Sequence, residues 1–197
     1  MIKRLFDVIF SFFGLILVSP WLLLFAILIK IGSKGPVFYR GKRVGQRGRE
    51  FRIFKFRTMV EKAEELGGPS TASDDPRLTK IGEFLKKYQM DELPQLINVL
   101  KGEMSFVGPR PEVPFYVKMM TEEEKKIILS VPQGMTDLAS LWDFHEGEVL
   151  RGSPYPEKAY QEKIRPEKIR LQLEYVKKRS FWLDIKIIIK TIFKVFN

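Results

Sequence analysis

The chain has 197 residues, 45% of them hydrophobic, which is enough for one ordinary core plus an appendage, and it carries a net charge of +10. It has no cysteine and a single histidine, His145, so disulfides, zinc–thiolate centres, thiol nucleophiles and a histidine-rich metal site are excluded. The positive charge favours an anionic partner: nucleic acid, anionic lipid headgroups or a phosphorylated small substrate.

The first element in chain order is apolar. Between Asp7 and Lys30 lie 22 residues without a charge, roughly 33 Å as a helix, against a hydrocarbon core of roughly 30 Å. No small-residue cleavage site follows, so the segment does not read as a cleaved signal peptide. Lys3 and Arg4 precede it, and Lys30, Lys34, Arg40, Lys42 and Arg43 follow it. Both flanks therefore have the Lys/Arg enrichment of cytoplasmic ends. Ser19-Pro20 at the middle supplies a bend, because Pro20 cannot bond the Ile16 carbonyl and the Ser19 hydroxyl can take that carbonyl instead. Residues 1–33 are thus expected to form a re-entrant membrane helix broken at Ser19-Pro20, and residues 34–197 a cytoplasmic catalytic domain. A spanning helix with a tolerated proline kink fits the segment alone equally well.

Beyond Gly32 the sequence turns to Gly, Pro and charge. "VFYR" and "EFRIFKFRTM", separated by Gly41 and Gly45 to Gly48, read as the two strands of a hairpin. Alternation places Phe51, Ile53, Lys55 and Arg57 on one face, where the two cations serve either a site or a solvated edge. "VEKAEELGG" reads as a short helix and "PSTASDD" as a polar loop. "DPRLTKIGEFLKKYQ" is a helix opening at Asp74-Asp75-Pro76. A further helix runs from Pro94 to Gly102 with Asp91 and Glu92 at its positive end, and "TEEEKKIILSV" is another. The last segment, 180–197, is amphipathic: Lys186, Lys190 and Lys194 form one stripe, and Trp182, Leu183, Ile185, Ile188, Ile189, Ile192, Phe193 and Phe196 cover much of the rest. That pattern suits a helix lying in a membrane interface or one packed on the protein's own core. The fold class is mainly α with a small β-hairpin (α+β), with amphipathic interfacial helices.

Asp91-Glu92 is the candidate chemical centre, although acids ahead of a helix also serve as caps. Arg110, held between Pro109 and Pro111, has a restricted backbone and suits bidentate binding of phosphate or of a carboxylate. Two acids with several cations and neither cysteine nor histidine suit a Mg²⁺-assisted reaction at phosphorus, in which an Asp can itself attack to give an acyl phosphate.

These residues resemble the bacterial sugar transferase family, the monotopic phosphoglycosyl transferases. The likeness is carried by "KRLFD", the Ser19-Pro20 break, "KFRTM", "DPRLTKIGEFLKK", "DELPQLINVLKGEMSFVGPRP" and "EYVKKRSFWLDIKIIIKT". It implies an enzyme of the bacterial cytoplasmic membrane, its catalytic domain facing the cytoplasm. Such enzymes move a sugar 1-phosphate from a UDP-sugar to polyprenyl (undecaprenyl) phosphate through an aspartyl-phosphosugar, releasing UMP at the start of cell-surface glycan assembly. By that resemblance Asp91 is the nucleophile, Glu92 completes the dyad, both hold Mg²⁺, and Arg110, Lys55, Arg57 and Lys86 meet substrate phosphates.

There are two departures. Lys86 stands where the family often has an arginine, and "PQGMTDLASLW" (Pro132 to Trp142) replaces the usual "PGITG" turn followed by "QV". No additional spanning helices are evident, so the chain reads as a minimal catalytic unit. The expected partners are a UDP-sugar, polyprenyl phosphate and inner-leaflet lipid, with no nucleic acid, since those anions already account for the charge; a homo-oligomer is compatible with the sequence. The alternative from another class is a non-catalytic membrane scaffold of a glycan assembly complex, its acidic pair capping a helix.

Overall fold

The computed structural model describes residues 2–68, 70–142 and 146–196, so His145 lies outside the described residues. Helix α1 (Ile2–Gly32) stays helical through Ser19-Pro20, so the expected break is a proline held inside one helix. A single proline removes one bond, while the flanking Leu, Ile and Phe supply no second breaker. The expected compensation is present, as the Ser19 hydroxyl donates to the Ile16 carbonyl at 2.8 Å. Phe12, Phe13, Ile16, Leu17, Trp21 and Leu23 are all exposed along the middle of α1. Among the described residues this is the only helix long and apolar enough to cross a membrane.

Both ends of α1 are fastened to the rest of the chain. At its start Lys3 donates to the Val107 carbonyl and pairs with Asp184, Arg4 donates to the carbonyls of Val99 and Leu100, and Asp7 accepts the Phe106 N–H. At its other end Phe25 and Ile29 are buried against Phe56 and Leu85. Polar anchoring at one end and apolar packing at the other hold α1 on the domain along its length.

The hairpin is present, in two pieces. Strand β1 (Phe38–Tyr39) pairs antiparallel with β4 (Lys55–Phe56), and β2 (Lys42–Val44) with β3 (Glu50–Arg52), in the registers Phe38↔Phe56 and Arg43↔Phe51. Between the pieces a side chain replaces the ladder. Asn98 accepts the Phe54 N–H at 2.8 Å and donates to the Arg52 carbonyl at 3.0 Å. Because Asn98 belongs to helix α4 (Gln95–Lys101), this exchange fixes the hairpin to the helix that follows the acidic pair.

The intervening helices are shorter than the sequence suggests. Helix α2 (Ala63–Leu66) is a single turn. Helix α3 (Lys80–Lys87) begins at Thr79, whose hydroxyl accepts the Gly82 N–H at 3.0 Å, and not at Asp74-Asp75-Pro76. Asp75 instead holds Arg77 through both carboxylate oxygens, a local pair that competes with helix initiation. Helix α4 ends where expected, at Gly102 with φ +83°, a left-handed position that glycine adopts without a Cβ clash.

A parallel pair, β5 (Ser105–Val107) with β6 (Gly134–Thr136), has no counterpart in the sequence reading. Its ends approach so closely that a Cβ on Gly108 would lie 2.3 Å from the Pro132 carbonyl oxygen, and one on Gly134 would lie 2.1 Å from the Gly108 nitrogen. Only glycine fits at either position. The remaining helices are α5 (Pro114–Lys118), α6 (Glu122–Ile128), α7 (Leu138–Trp142), α8 (Glu146–Val149), α9 (Pro156–Ala159), α10 (Arg165–Lys178) and α11 (Phe181–Phe196), of which α7 and α11 pack on the parallel pair. Helix α6 opens with a reciprocal capping box between Thr121 and Glu124.

Helix α11 packs part of its apolar pattern on the protein's own core and leaves the rest exposed. Ile187 and Asp184 are buried, with Ile187 in a core shared with Val107 and Tyr175, while Trp182, Ile189, Ile192 and Phe193 are exposed. The lysine stripe divides in the same way: Lys186 and Lys190 face outward, and Lys194 donates to the Leu141 carbonyl.

Candidate active site

Four charged side chains from three separate parts of the chain converge. Lys55 comes from β4, Asp91 and Glu92 from a single 3₁₀ turn (Met90–Glu92), and Arg110 from the segment after β5. The 3₁₀ turn is entered through Gln89, a non-glycine residue in the left-handed region at φ +53°. Such a conformation costs on the order of 1 kcal/mol or more and recurs at functional sites. Leu93 and Pro94 are already helical, so the chain passes from the acidic pair into α4 without a bend.

Lys55 Nζ lies 2.9 Å from Asp91 Oδ2 and 3.0 Å from Glu92 Oε1. The Arg110 guanidinium also pairs with Glu92 Oε1 and donates to the Met135 carbonyl. Lys55 Nζ so bridges the two acids, and the buried Asp91 Oδ2 is ion-paired to it. Two acids and two cations make the cluster formally neutral, which is what permits it to be buried. Asp91 is 2% exposed.

The two carboxyls respond differently to this shared setting. Burial pushes the Asp91 carboxyl above the usual carboxylate range; Lys55 opposes the rise and the charge on Glu92 adds to it. Burial acts on Glu92 as well, but there Arg110 and Lys55 together override it and hold the carboxyl well below its ordinary range. For Lys55, the charges of Asp91 and Glu92 outweigh a burial that would lower its affinity for the proton, and its pKa is raised. Glu92 is therefore the permanent anion, and Asp91 is the acid that protonates first.

Arg110 is positioned by the parallel pair. Gly108 N–H donates to the Thr136 carbonyl at 3.0 Å, Gly134 N–H donates to the Pro109 carbonyl at 2.9 Å, and the two prolines restrict what lies between. Lys86, in the last turn of α3, donates to the Thr71 carbonyl at 3.2 Å, and its charge is felt at Asp91. Arg57 is not part of the cluster. It lies just past β4, is 7% exposed, and gives its guanidinium to the Ser33 carbonyl and hydroxyl and to the Lys34 carbonyl, at the end of α1. Strict strand alternation would have placed it beside Lys55; its backbone N–H still pairs with the Val37 carbonyl at 2.9 Å, and the side chain is drawn to the end of α1.

Two residues without a role in the sequence reading belong to the framework of the site. Asn98 is fully buried and also donates to Glu103 Oε2 at 2.7 Å. Asp137, at the end of β6, is fully buried and accepts the Ser140 N–H at 2.7 Å, capping α7 within the divergent Pro132 to Trp142 segment. The readable signal for Asn98 was a polar residue on the inward side of the apolar α4.

The donor set also bears on Mg²⁺. Asp91 and Glu92 present hard carboxylate oxygens from adjacent residues, and Mg²⁺ characteristically takes one or two carboxylates together with substrate phosphates. The residues fit an ion held partly by substrate. Among the described residues no group of three or more His, Cys, Asp or Glu could form an all-protein cage.

A long, largely exposed apolar helix is thus fastened at both ends to an α-rich domain that carries a neutralised acidic pair beside a clamped arginine. Comparison with known proteins places the chain in one family: the bacterial sugar transferase profile matches residues 1–197, and the chain belongs to that family. It is 38% identical over 193 residues to the UDP-N-acetylgalactosamine-undecaprenyl-phosphate N-acetylgalactosaminephosphotransferase of Aeromonas hydrophila, covering 97% of this chain and 43% of that protein. It is 35% identical to the UDP-glucose:undecaprenyl-phosphate glucose-1-phosphate transferase of Escherichia coli K12, over 100% of this chain and 40% of that protein. The exopolysaccharide production protein ExoY of Rhizobium meliloti is 33% identical, over 98% of this chain and 84% of its own length. The chain thus spans about two fifths of the length of the first two of these relatives.

Proposed function

We propose that this protein transfers a sugar 1-phosphate from a UDP-sugar to undecaprenyl phosphate at a membrane, with Asp91 as the nucleophile. The observation that carries the reading is the buried Asp91-Glu92 pair clamped by Lys55 and Arg110. Family membership, and the reactions named for relatives, support the substrate classes.

In the first step an Asp91 carboxylate oxygen attacks the sugar-bearing phosphorus. The bond from that phosphorus to the UMP oxygen breaks, UMP leaves with the electron pair, and an aspartyl-phosphosugar remains. In the second step an oxygen of the polyprenyl phosphate attacks the same phosphorus and displaces the Asp91 carboxylate. Asp91 suits this role because burial makes it the more basic of the two acids. Glu92 stays ionised and holds Lys55 and Arg110 in place, and these cations stabilise charge on the equatorial phosphoryl oxygens. Asp91 and Glu92 would hold Mg²⁺, which when bound offsets charge on the diphosphate.

The membrane arrangement belongs to the same reading. In this reading α1 bends at Pro20 and dips its exposed apolar middle into the membrane, with its start tied to the domain through Lys3 and Arg4 and its end through Phe25 and Ile29. Seated so, the domain faces the cytoplasm with its cluster near the level of the lipid phosphate.

The test is UMP release by membranes containing the protein, given UDP-N-acetylgalactosamine or UDP-glucose with undecaprenyl phosphate and Mg²⁺. Asp91→Asn should reduce release by roughly a thousandfold or more while the protein remains folded and membrane-bound. Undiminished release by that variant would overturn the assignment.

A further inference from the structure

The polar stretch after α2 has the composition of a loop, yet three consecutive residues of it are pinned. Ser70 is buried and held twice: its hydroxyl lies 2.8 Å from the Tyr116 hydroxyl, and its carbonyl accepts from Arg77 at 3.2 Å. The Thr71 carbonyl accepts from Lys86 Nζ at 3.2 Å. Ala72 is buried in a cluster with Tyr116, Leu150, Tyr160 and Ile164.

Tyr116 is the centre of this arrangement. Its hydroxyl donates to the Glu157 carboxylate, 2.8 Å from either oxygen, so the Ser70 hydroxyl is left to donate to Tyr116. Gln161 Nε2 donates to the same carboxylate at 2.9 Å. The result is a directed chain from Ser70 through Tyr116 to Glu157, ending on an acceptor that charge makes strong. Packing alone does not ask for the Tyr116 hydroxyl. The ring lies 5.1 Å from the Tyr160 ring, and phenylalanine would fill the same space without burying a polar atom. Tyr116 belongs to α5, which follows the Arg110 clamp, and Lys86 to α3, which packs on the turn that carries Asp91 and Glu92. The chain therefore joins the segment after Arg110 to the helix before the acidic pair.

We propose that Tyr116 is a positioning residue for Lys86: through Ser70 it fixes the Thr71 carbonyl, and that carbonyl aims the Lys86 ammonium at the diphosphate of the UDP-sugar. A lysine carries its charge on a flexible four-carbon stem, and a fixed acceptor removes rotamers that would point it elsewhere. An ammonium has three donors, so it keeps the carbonyl while it takes phosphate oxygens. Cutting the chain frees the Thr71 backbone, and Lys86 then has to be ordered by the substrate itself. This inference rests on the reading of the site as one for a UDP-sugar, and adds to it the residues that hold Lys86.

The test is a double-mutant cycle on UMP release by membranes, with UDP-N-acetylgalactosamine or UDP-glucose as donor and with undecaprenyl phosphate and Mg²⁺ in excess. Ser70→Ala and Tyr116→Phe each cut the chain, the first without touching the bond from Tyr116 to Glu157. Each is made alone and together with Lys86→Met. Loss of one hydrogen bond predicts that either single variant raises KM for the UDP-sugar about three- to tenfold, with kcat changed less than about twofold. Lys86→Met should raise KM by about tenfold or more. In that background neither Ser70→Ala nor Tyr116→Phe should raise it further by more than about 1.5-fold, since no ammonium is left to aim. A merely structural role would lower thermal stability and either leave KM unchanged or raise it by the same factor with and without Lys86. Either result overturns the proposal, as does an unchanged KM for Lys86→Met. If Tyr116→Phe fails to fold, Ser70→Ala, the smaller change, decides by the same criteria. The wild type separates the two claims. No UMP release from either donor removes the reading of the site and this proposal with it, whereas wild-type turnover with KM factors that multiply removes only the role of Tyr116.

Discussion

Glu92→Gln is the substitution whose consequence the structure sets most directly, because it removes the charge that two cations share without changing the shape of the side chain. Glu92 Oε1 is 3.0 Å from Lys55 Nζ and also pairs with Arg110. At 3.0 Å and an effective dielectric of about 20, direct attraction to Lys55 alone is roughly 5 to 6 kcal/mol. Most of this is offset by the desolvation of both ions, and measured losses on breaking buried pairs are about 3–5 kcal/mol. Lys55 and Arg110 are 25% and 31% exposed at their side chains and can recover some hydration, so about 2–4 kcal/mol is the expected loss. For a chain of this length that is roughly 5 to 15 °C in Tm.

The pH dependence gives the sharper check. The Glu92 carboxyl is depressed in the folded protein, so its contribution is fully present above the unfolded value of 4.5 and is lost as pH falls toward the folded one. Thermal unfolding of wild type and Glu92→Gln in detergent micelles should therefore differ most near pH 7, with a gap that narrows progressively as pH falls below about 4.5. Equal stability at neutral pH, or a gap that persists unchanged into acid, would refute the charge arrangement described here.

Asp91→Asn should act in the opposite direction on stability. The Asp91 pKa is raised in the folded state, so its ionised form costs stability above the usual carboxylate range, and the neutral variant should melt higher than wild type at pH 7 while losing activity. Arg57→Ala should destabilise the protein by roughly 2–3 kcal/mol, by leaving the Ser33 and Lys34 carbonyls without their charged donor, and should leave KM for the UDP-sugar unchanged; a large rise in KM would place Arg57 at the substrate after all. Chelation of divalent cations should abolish UMP release and Mg²⁺ should restore it, and turnover unaffected by chelator would remove the ion from the reading. A label at Lys3 should react from the cytoplasmic side alone, whereas reaction only from outside would exclude the re-entrant arrangement.

Much of the site was legible along the chain because its parts are adjacent there: Asp91 beside Glu92, and Arg110 locked by the prolines on either side of it. Lys55 was legible only as one of two cations on a strand. Its separation from Arg57 follows from the Ser33 and Lys34 carbonyls at the end of α1, which take the Arg57 guanidinium. The parallel pair that places Arg110 was not legible, since three-residue strands among Gly and Pro carry too little alternation to stand out. Likewise α3 begins at Thr79 because Asp75 spends its carboxylate on Arg77, a choice made by side-chain contacts beyond the reach of local preference.

The sequence by itself determined what is local: an apolar stretch of membrane length, the Ser19 bond to Ile16, the caps of α4 and α6, and the adjacency of the acidic pair. Those depend on residue type and on separations of a few positions. The tertiary structure decided what is not local: that α1 stays helical through Pro20 and is fastened at both ends, that Arg57 serves α1 while Lys55 serves the acids, and that two adjacent carboxyls acquire opposite tendencies. Charges and burial at a site are summed over elements that meet only on folding, and so Asp91 and Glu92, alike in the chain, differ in the fold.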